Sequence, residues 1–555
     1  MVGEVAMDLI QPDMMREIVD NGVLKNNFDI IFSVGIKMIL LVLLGGLCGI
    51  LCGVFANLAA QQFGNDLRKD LFKKIMGLSF QQTDKISTGS LVTRLTNDVT
   101  QVQNMVMMAV RGFVRNTVMF VGGIIMLYKQ SPRFALIAAC GLPIVALIVP
   151  YFLKKATPLY AIVQKKLDGI NNVMQEDVAG ARVVKAYVKE KHELNRFDKA
   201  NDELCSVNLR VQSILAFMGP SMNIVLNICI VLTIFVGGLT FKNYGDMTPG
   251  RIMAAITYLA QILHGIMFMA NIFQIFTRAK ASADRIKEVL GSSNVIVDGE
   301  YSGSTEEKGI VEFKGVSFAY PNTSGQNVLE DISFKVNKGE TLAVIGATGS
   351  GKTSLVNLIP RFYDADKGEV LVDGINVKDY NLKQLRDKIS IVLQKAELYS
   401  RPIAENIKWG REDADPWEIK SAAQTAQADD FICATEYGYN TVVSEGGHSL
   451  SGGQKQRVSI SRAMLKKHEI LIFDDSTSAL DLKTEANLYK SMNEKHPDST
   501  KIIIAQRIAS IKGADRIAVL DKGRLVALGT HSELMETSPV YREIYNSQLK
   551  EGGNE

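Results

Sequence analysis

The chain has 555 residues, 47% hydrophobic and 22% charged, with a formal net charge of +3. That length accommodates two or more domains, and the near-neutral balance leaves none of the basic footprint that nucleic-acid binding requires. Its six cysteines (Cys48, Cys52, Cys140, Cys205, Cys229, Cys433) are scattered. Most lie in apolar runs, which excludes a disulfide framework and metal-ligand spacing; Cys48 and Cys52 read as small packing residues on one helix face.

In chain order, the first feature is a short apolar-leaning stretch before Pro12, enough for roughly 15 Å of helix, or half a membrane span. Glu4 and Asp8 sit four apart on it, hence on one face. Acidic groups at membrane depth are gate or cation-attracting candidates; close to Pro12 and the outer surface they would equally form a hydrated helix-end pair. Apolar runs follow at 28–60, 104–128, 134–153, 213–240 and 250–276. About 20 apolar residues cross the hydrocarbon core, and each run reaches or nearly reaches that length. Five spans and a half-span predict a six-helix domain over 1–285 whose first helix is cut short, through a sequence that begins late. A five-helix domain with a surface-lying N-terminus is the alternative.

Lys/Arg asymmetry sets the orientation. The connection over 65–111 holds Arg68, Lys69, Lys73, Lys74, Lys85 and Arg94, and the connection over 154–210 is similarly basic. Both belong in the cytoplasm; the turns at 129–133 and near Gly245 are short and external. Asn223 and Asn227 lie four apart after Pro220, and Thr257, Gln261, His264, Phe268 and Asn271 form a polar–aromatic stripe with Met253, Met267 and Met269 nearby. This stripe reads as the wall of a substrate cavity, or as interhelical hydrogen-bonding glue.

Residues 286–309 are rich in Ser, Gly and Glu and read as a linker; 310–555 read as a soluble α/β domain. The strand TLAVIG leads into Gly346, Ala347, Thr348, Gly349, Ser350, Gly351, Lys352 and Thr353, with Ser354 opening a helix. That is G-x-x-x-x-G-K-[ST] in the strand–loop–helix context the motif requires. Backbone N–H groups close on phosphates, Lys352 reaches the β/γ oxygens, and the Thr353 hydroxyl ligates Mg²⁺. The implied ligands are ATP and Mg²⁺. The run ILIFDD ends at Asp474, placed to hold Mg²⁺ through water, and Asp475, where a base should orient the attacking water. Upstream, Ser451, Gly452, Gly453 and Gln454 open a helix whose N–H groups suit a γ-phosphate.

These motifs resemble those of a half-transporter of the ATP-binding-cassette (ABC) exporter superfamily, and the resemblance covers nearly the whole chain. It implies a polytopic helical membrane domain fused to a P-loop α/β nucleotide-binding domain in the cytoplasmic membrane. It further implies that Tyr320 stacks on adenine and that Gln394 senses metal and water. Glu445 would contact the membrane domain, Asp481 would signal across a dimer, and segments near 80–90 and 185–198 would be coupling helices. The resemblance is broken twice. The family carries Asp-Glu and a later His, whereas this chain has Asp475 and Gln506.

Losing one methylene retracts the carboxylate by roughly 1 Å, and a misplacement of about 1 Å costs on the order of 100-fold in rate. Gln506 offers hydrogen bonds but no titratable charge. The expectation is a site that binds ATP and turns it over poorly, in the degenerate subunit of a bacterial heterodimeric multidrug exporter. Its partner should carry the Glu and His and complete its active site with this chain's LSGGQ. Lipid or peptide export and an ATP-gated regulatory subunit are the competing readings; the apolar runs exclude a soluble DNA-repair-type ATPase.

Overall fold

The computed structural model describes residues 1–244, 247–293, 296–303, 305, 307–320, 327–447 and 449–552; some further side chains, those of Met267, Met269, Asn271 and Glu445 among them, lie outside the description, as does Gly245. Two compact units emerge, Met1–Ile75 with Leu91–Gly291, and Met76–Ser90 with Ser292–Glu555.

The first unit is built of long helices: α1 (Val2–Glu17), α2 (Phe28–Met76), α3 (Thr88–Gln130), α4 (Pro132–Ala179), α5 (Glu190–Asn243) and α6 (Pro249–Leu290). Helices α2 to α5 are each long and apolar enough to cross a bilayer. Ile39, Leu43, Leu47 and Ile50 of α2 face outward, as a lipid-contacting surface does, while a helix satisfies its own backbone polar groups.

The half-span expected before Pro12 is corrected. Pro12 is buried inside α1, which runs on into a π-helical turn, Ile18–Val23, giving about 33 Å of helix at 1.5 Å per residue. The polar residues that hid this continuation are paired within the bundle. Gln130 accepts from Arg16 and donates to Asp13, both at 2.9 Å. Asp20 accepts from the Gly250 N–H at 2.9 Å and from the Thr248 hydroxyl at 2.5 Å, tying the end of α1 to the start of α6. Asp8 therefore lies about 22 Å of helix away from Val23.

Two π-helical turns, Arg94–Asp98 and Ala109–Phe113, interrupt α3. At the first, buried Asp98 accepts from Arg285 Nε and Ser282 Oγ, each at 2.8 Å. Arg94 pairs with Glu288 at 2.9 Å. These contacts keep α6 helical to Leu290, so the linker begins later than residue 286.

The second unit holds two sheets. The antiparallel one has β1 (Val311–Phe318), β2 (Leu329–Val336), β4 (Lys367–Val372) and β5 (Ile375–Asn376) in the order β2-β1-β4-β5. The larger has β3 (Thr341–Gly346), β6 (Ile389–Val392), β7 (Ile470–Asp474), β8 (Thr500–Ile504), β9 (Arg516–Asp521) and β10 (Arg524–Gly529) in the order β10-β9-β3-β8-β7-β6. Its β3, β6, β7, β8 and β9 are parallel and β10 is antiparallel. Burial on both faces explains the apolar runs ILIF in β7 and III in β8; every residue of both strands is buried. One core lies between the two sheets and includes Phe313, Val344 and Ile472. The other lies under the helical part and includes Phe473, Val458 and Ile419.

The segment Met76–Ser90 is part of this second unit. Its helix Phe80–Ile86 has a Ser79/Gln82 capping box, packs Phe80 on Phe362 with ring centroids 4.6 Å apart, and accepts the Tyr363 hydroxyl on Asp84 at 2.6 Å. Burial and the adjacent Asp84 carboxylate hold the Tyr363 phenol well above its ordinary pKa.

Candidate nucleotide site

The phosphate loop joins β3 to α7 (Lys352–Leu358). Gly349 and Gly351 have φ of +83° and +97°, values that L side chains avoid; a Cβ on Gly351 would also lie 2.9 Å from the Val328 carbonyl. The loop's N–H groups can thus turn inward as an anion cradle. Lys352 Nζ donates to the Gly346 and Ala347 carbonyls at 2.8 and 2.9 Å. Burial pulls its pKa down while Asp475 and Asp474 oppose that fall. Ser350 Oγ is buried without a hydrogen-bond partner among the described residues. The Thr353 hydroxyl donates to Asp474 Oδ1 at 2.8 Å. Burial raises the Asp474 pKa, with Asp475 adding to the rise and the Thr353 bond opposing it. A buried carboxylate beside a hydroxyl and a phosphate cradle suits a hard divalent cation, so Thr353 and Asp474 fit Mg²⁺ and the loop fits a triphosphate. A cleft of about 250 Å³ is lined by Thr348, Gly349, Gly351–Ser354, Gln394, Asp475 and Gln506.

At its far end Asp475 follows β7 in the left-handed region at φ +47°, a conformation Asp tolerates better than most L residues. Its N–H donates to the Ile504 carbonyl at 3.1 Å. Its Oδ2 accepts from two amides at once, Gln394 Nε2 at 3.2 Å and Gln506 Nε2 at 2.5 Å. The Gln506 carbonyl accepts from Gln548 Nε2 at 2.6 Å, and Gln548 Oε1 accepts from the Ile508 N–H at 2.9 Å. Gln548, on the C-terminal helix α10 (Pro539–Gly552), escapes sequence reading because nothing local marks it.

Ser451 caps α8 (Gly452–Leu465) in a reciprocal box with Gln454, at 2.9 and 3.3 Å. A Cβ at Gly452 would meet open space, whereas one at Gly453 would sit 3.0 Å from the Ala479 carbonyl. None of Ser451, Gly452, Gly453 or Gln454 lines the chain's own cleft. Asp481 caps α9 (Leu482–Lys495), accepting from the Thr484 N–H at 2.9 Å and hydroxyl at 2.7 Å, which lowers its pKa. Tyr320 is half-buried, 3.0 Å from Ser354 Oγ and edge-on to Tyr363 with centroids 5.2 Å apart. The Glu445 side chain lies outside the described residues. Around 185–198, Tyr187 and Val188 are exposed.

The membrane stripe is only partly assembled. Asn223, Asn227, Thr257 and His264 are exposed. Thr257 and His264 bond carbonyls of their own helix at 3.1 and 2.8 Å. Gln261 Oε1 is buried with no partner among the described residues. Phe268 lines a cavity of about 550 Å³ with residues of α2 and α3; Asn271 lies outside the description. Glu4 and Asp8 both turn to Arg115, at 3.6 and 3.1 Å. Arg111 and Arg115 were missed; their signal was two arginines four apart inside the run 104–128.

Residues 2–267 match the family model of the ABC transporter transmembrane region, and residues 329–478 match that of the ABC transporter. The Bacillus subtilis (strain 168) uncharacterized ABC transporter ATP-binding protein YfiB is 39% identical over 100% of this chain and 96% of its own length. The ATP-dependent lipid A-core flippase of Syntrophus aciditrophicus (strain SB) is 32% identical over 97% of this chain and 89% of its own. A solved structure of a bacterial Atm1-family ABC exporter with ATP bound has the same fold, with a TM-score of 0.82 at 24% identity, over 98% of this chain and 97% of that one. The fold and site define a membrane-spanning, ATP-driven translocase with a cytoplasmic nucleotide-binding domain. The chain belongs to the ABC transporter family, as an exporter half-transporter of a kind that works as a dimer.

Proposed function

We propose that this chain is one subunit of a heterodimeric exporter of amphiphilic small molecules, that its own site holds MgATP and hydrolyses it slowly, and that its Ser451–Gln454 turn completes the partner's fast site. The observation that carries this is the clamp on Asp475. A carboxylate oxygen has about two acceptor positions, and both on Oδ2 are taken by Gln394 and Gln506. A base that orients water needs a lone pair within about 3 Å of it; here two neutral donors occupy Oδ2, which leaves Oδ1 of a shorter side chain for that task. Lys352, Thr353 and Asp474 retain everything required to bind: charge for the phosphates, and a hydroxyl and carboxylate for Mg²⁺, which would neutralise phosphate charge when bound. The intact cap at Ser451 and the open Gly452 face present donors outward, as a partner's γ-phosphate would need.

The test is ATPase activity and amphiphile transport of the purified chain, alone and with a partner subunit carrying Glu and His at the two altered positions. The expected outcome is a mixed complex at least about 100-fold faster than the chain alone. Equal rates per site would make the pump symmetric. The relative named a lipid A-core flippase favours a second reading in which the cargo is a lipid, decided by headgroup-resolved transport.

A further inference from the structure

The cavity in the membrane unit contains a cation that nothing above uses. Asn57 of α2, Met107, Met108, Arg111 and Asn116 of α3, and Phe268 of α6 line its roughly 550 Å³. Arg115, one turn beyond Arg111, is already matched by Asp8 and Glu4. Arg111 has no hydrogen-bond or ion-pair partner among the described residues, and its guanidinium lies beside the backbone of α2, where a Cβ on Gly53 would be 3.5 Å from Nη1. One turn earlier a Cβ on Gly49 would be 3.2 Å from the Glu4 carboxylate. The absence of side chains at Gly49 and Gly53 thus makes room for both charged groups.

Arg111 sits in the π-helical turn Ala109–Phe113, an irregularity that re-aims side chains and concentrates at functional sites. An unpaired guanidinium in a membrane domain is costly unless it faces water, headgroups or a ligand. Methionines and a phenylalanine supply an adaptable apolar wall; Asn57 supplies an amide, and Asn116, which donates one N–H to the Gly112 carbonyl at 2.7 Å, keeps its second. A ligand complementary to all of these has an apolar body and one anionic head.

We propose that this cavity is a binding site for anionic amphiphiles and that Arg111 holds the carboxylate, sulfonate or phosphate by charge-assisted hydrogen bonds. The inference rests on the amphiphile-export reading and narrows its substrate class. Cationic and neutral amphiphiles of the same size lose the Arg111 contact.

The test uses the full chain in phosphatidylcholine nanodiscs without nucleotide, titrated with dansyl-aminoundecanoic acid and with its methyl ester. Wild type should bind the acid more tightly. Arg111→Gln should weaken the acid by about tenfold or more and leave the ester within about twofold. Glu4→Gln with Asp8→Asn frees Arg115 and should tighten the acid several-fold, a gain that misfolding does not produce. A second arm adds phosphatidylglycerol: competition with the acid that disappears in Arg111→Gln identifies a bilayer lipid headgroup as the natural anion, and lack of competition identifies a soluble amphiphile. Equal losses for both probes in Arg111→Gln, no loss for either, or an unchanged acid affinity in the double variant overturns the proposal. Tight ester binding with no acid preference would defeat only this inference; failure of both probes to bind wild type would defeat the amphiphile reading as well. ATPase asymmetry is untouched by either result.

Discussion

The two ends of the nucleotide cleft differ in kind. At the holding end, Lys352 and Thr353 line the cleft beside an open glycine loop, Lys352 resting on two loop carbonyls and Thr353 on Asp474. At the water-handling end, Asp475, Gln394 and Gln506 have closed on one another. Binding requires charge and donors in roughly the right place; hydrolysis requires one oxygen in one place. The first tolerates small side-chain changes and the second does not, so a site can lose turnover while keeping affinity.

The largest expected effect comes from the Ser451–Gln454 surface, which we propose completes the partner's site. Gly452→Glu places a carboxylate where a Cβ meets nothing within 4 Å, so the fold should survive. In a mixed complex it sets a negative charge against the partner's bound phosphate, and ATPase should fall by about 100-fold or more. Nucleotide affinity at Lys352–Thr353 should hold within about twofold. A Gly452→Glu complex that still hydrolyses ATP at the normal rate would show that this turn does not complete the fast site.

Next in size is repair of the water-handling end. Asp475→Glu restores about 1 Å of reach, and Gln506→His removes the amide that holds Oδ2 at 2.5 Å. The double variant should raise single-site turnover by about tenfold or more, with each single change giving less because the two groups act on one oxygen. The left-handed backbone at Asp475 sets a cost of about 1 kcal/mol against the longer side chain, readable as a slightly lower melting temperature. Turnover that stays flat in the double variant would rule out this clamp as the basis of the proposed slow site.

How much of this was readable beforehand follows from the range of each interaction. The phosphate loop is local: its glycines, lysine and threonine are contiguous, so spacing alone predicts their geometry. The Ser451 cap and the buried β7 strand are equally local. The altered pair Asp475 and Gln506 was visible only against the family resemblance, and their convergence with Gln394 on one oxygen depends on the spacing of three separate segments. In the membrane unit, apolar length located the main spans but hid charged groups whose partners lie more than a hundred residues away. Arg115 with Asp8 and Gln130 with Asp13 are of that sort. Because those pairs were invisible, the polar residues beyond Pro12 read as the end of a helix instead of its continuation.

The smallest effect tests whether the two ends are separable. Gln548 braces the Gln506 loop through its carbonyl and the Ile508 N–H. Each bond is worth about 1 kcal/mol at most in a partly exposed setting. Gln548→Ala should therefore lower the melting temperature by only a few degrees, about what 1–2 kcal/mol gives in a domain of this size. Hydrogen exchange at the Ile508 amide should rise by about tenfold, since its acceptor is gone. MgATP affinity should stay within about twofold, because the side chains of Lys352, Thr353 and Asp474 bond the phosphate loop and each other. If affinity falls in step with the faster exchange, the holding end depends on the loop at Gln506. The slow turnover we propose would then have to be traced to the whole cleft, not to the Asp475 carboxylate alone.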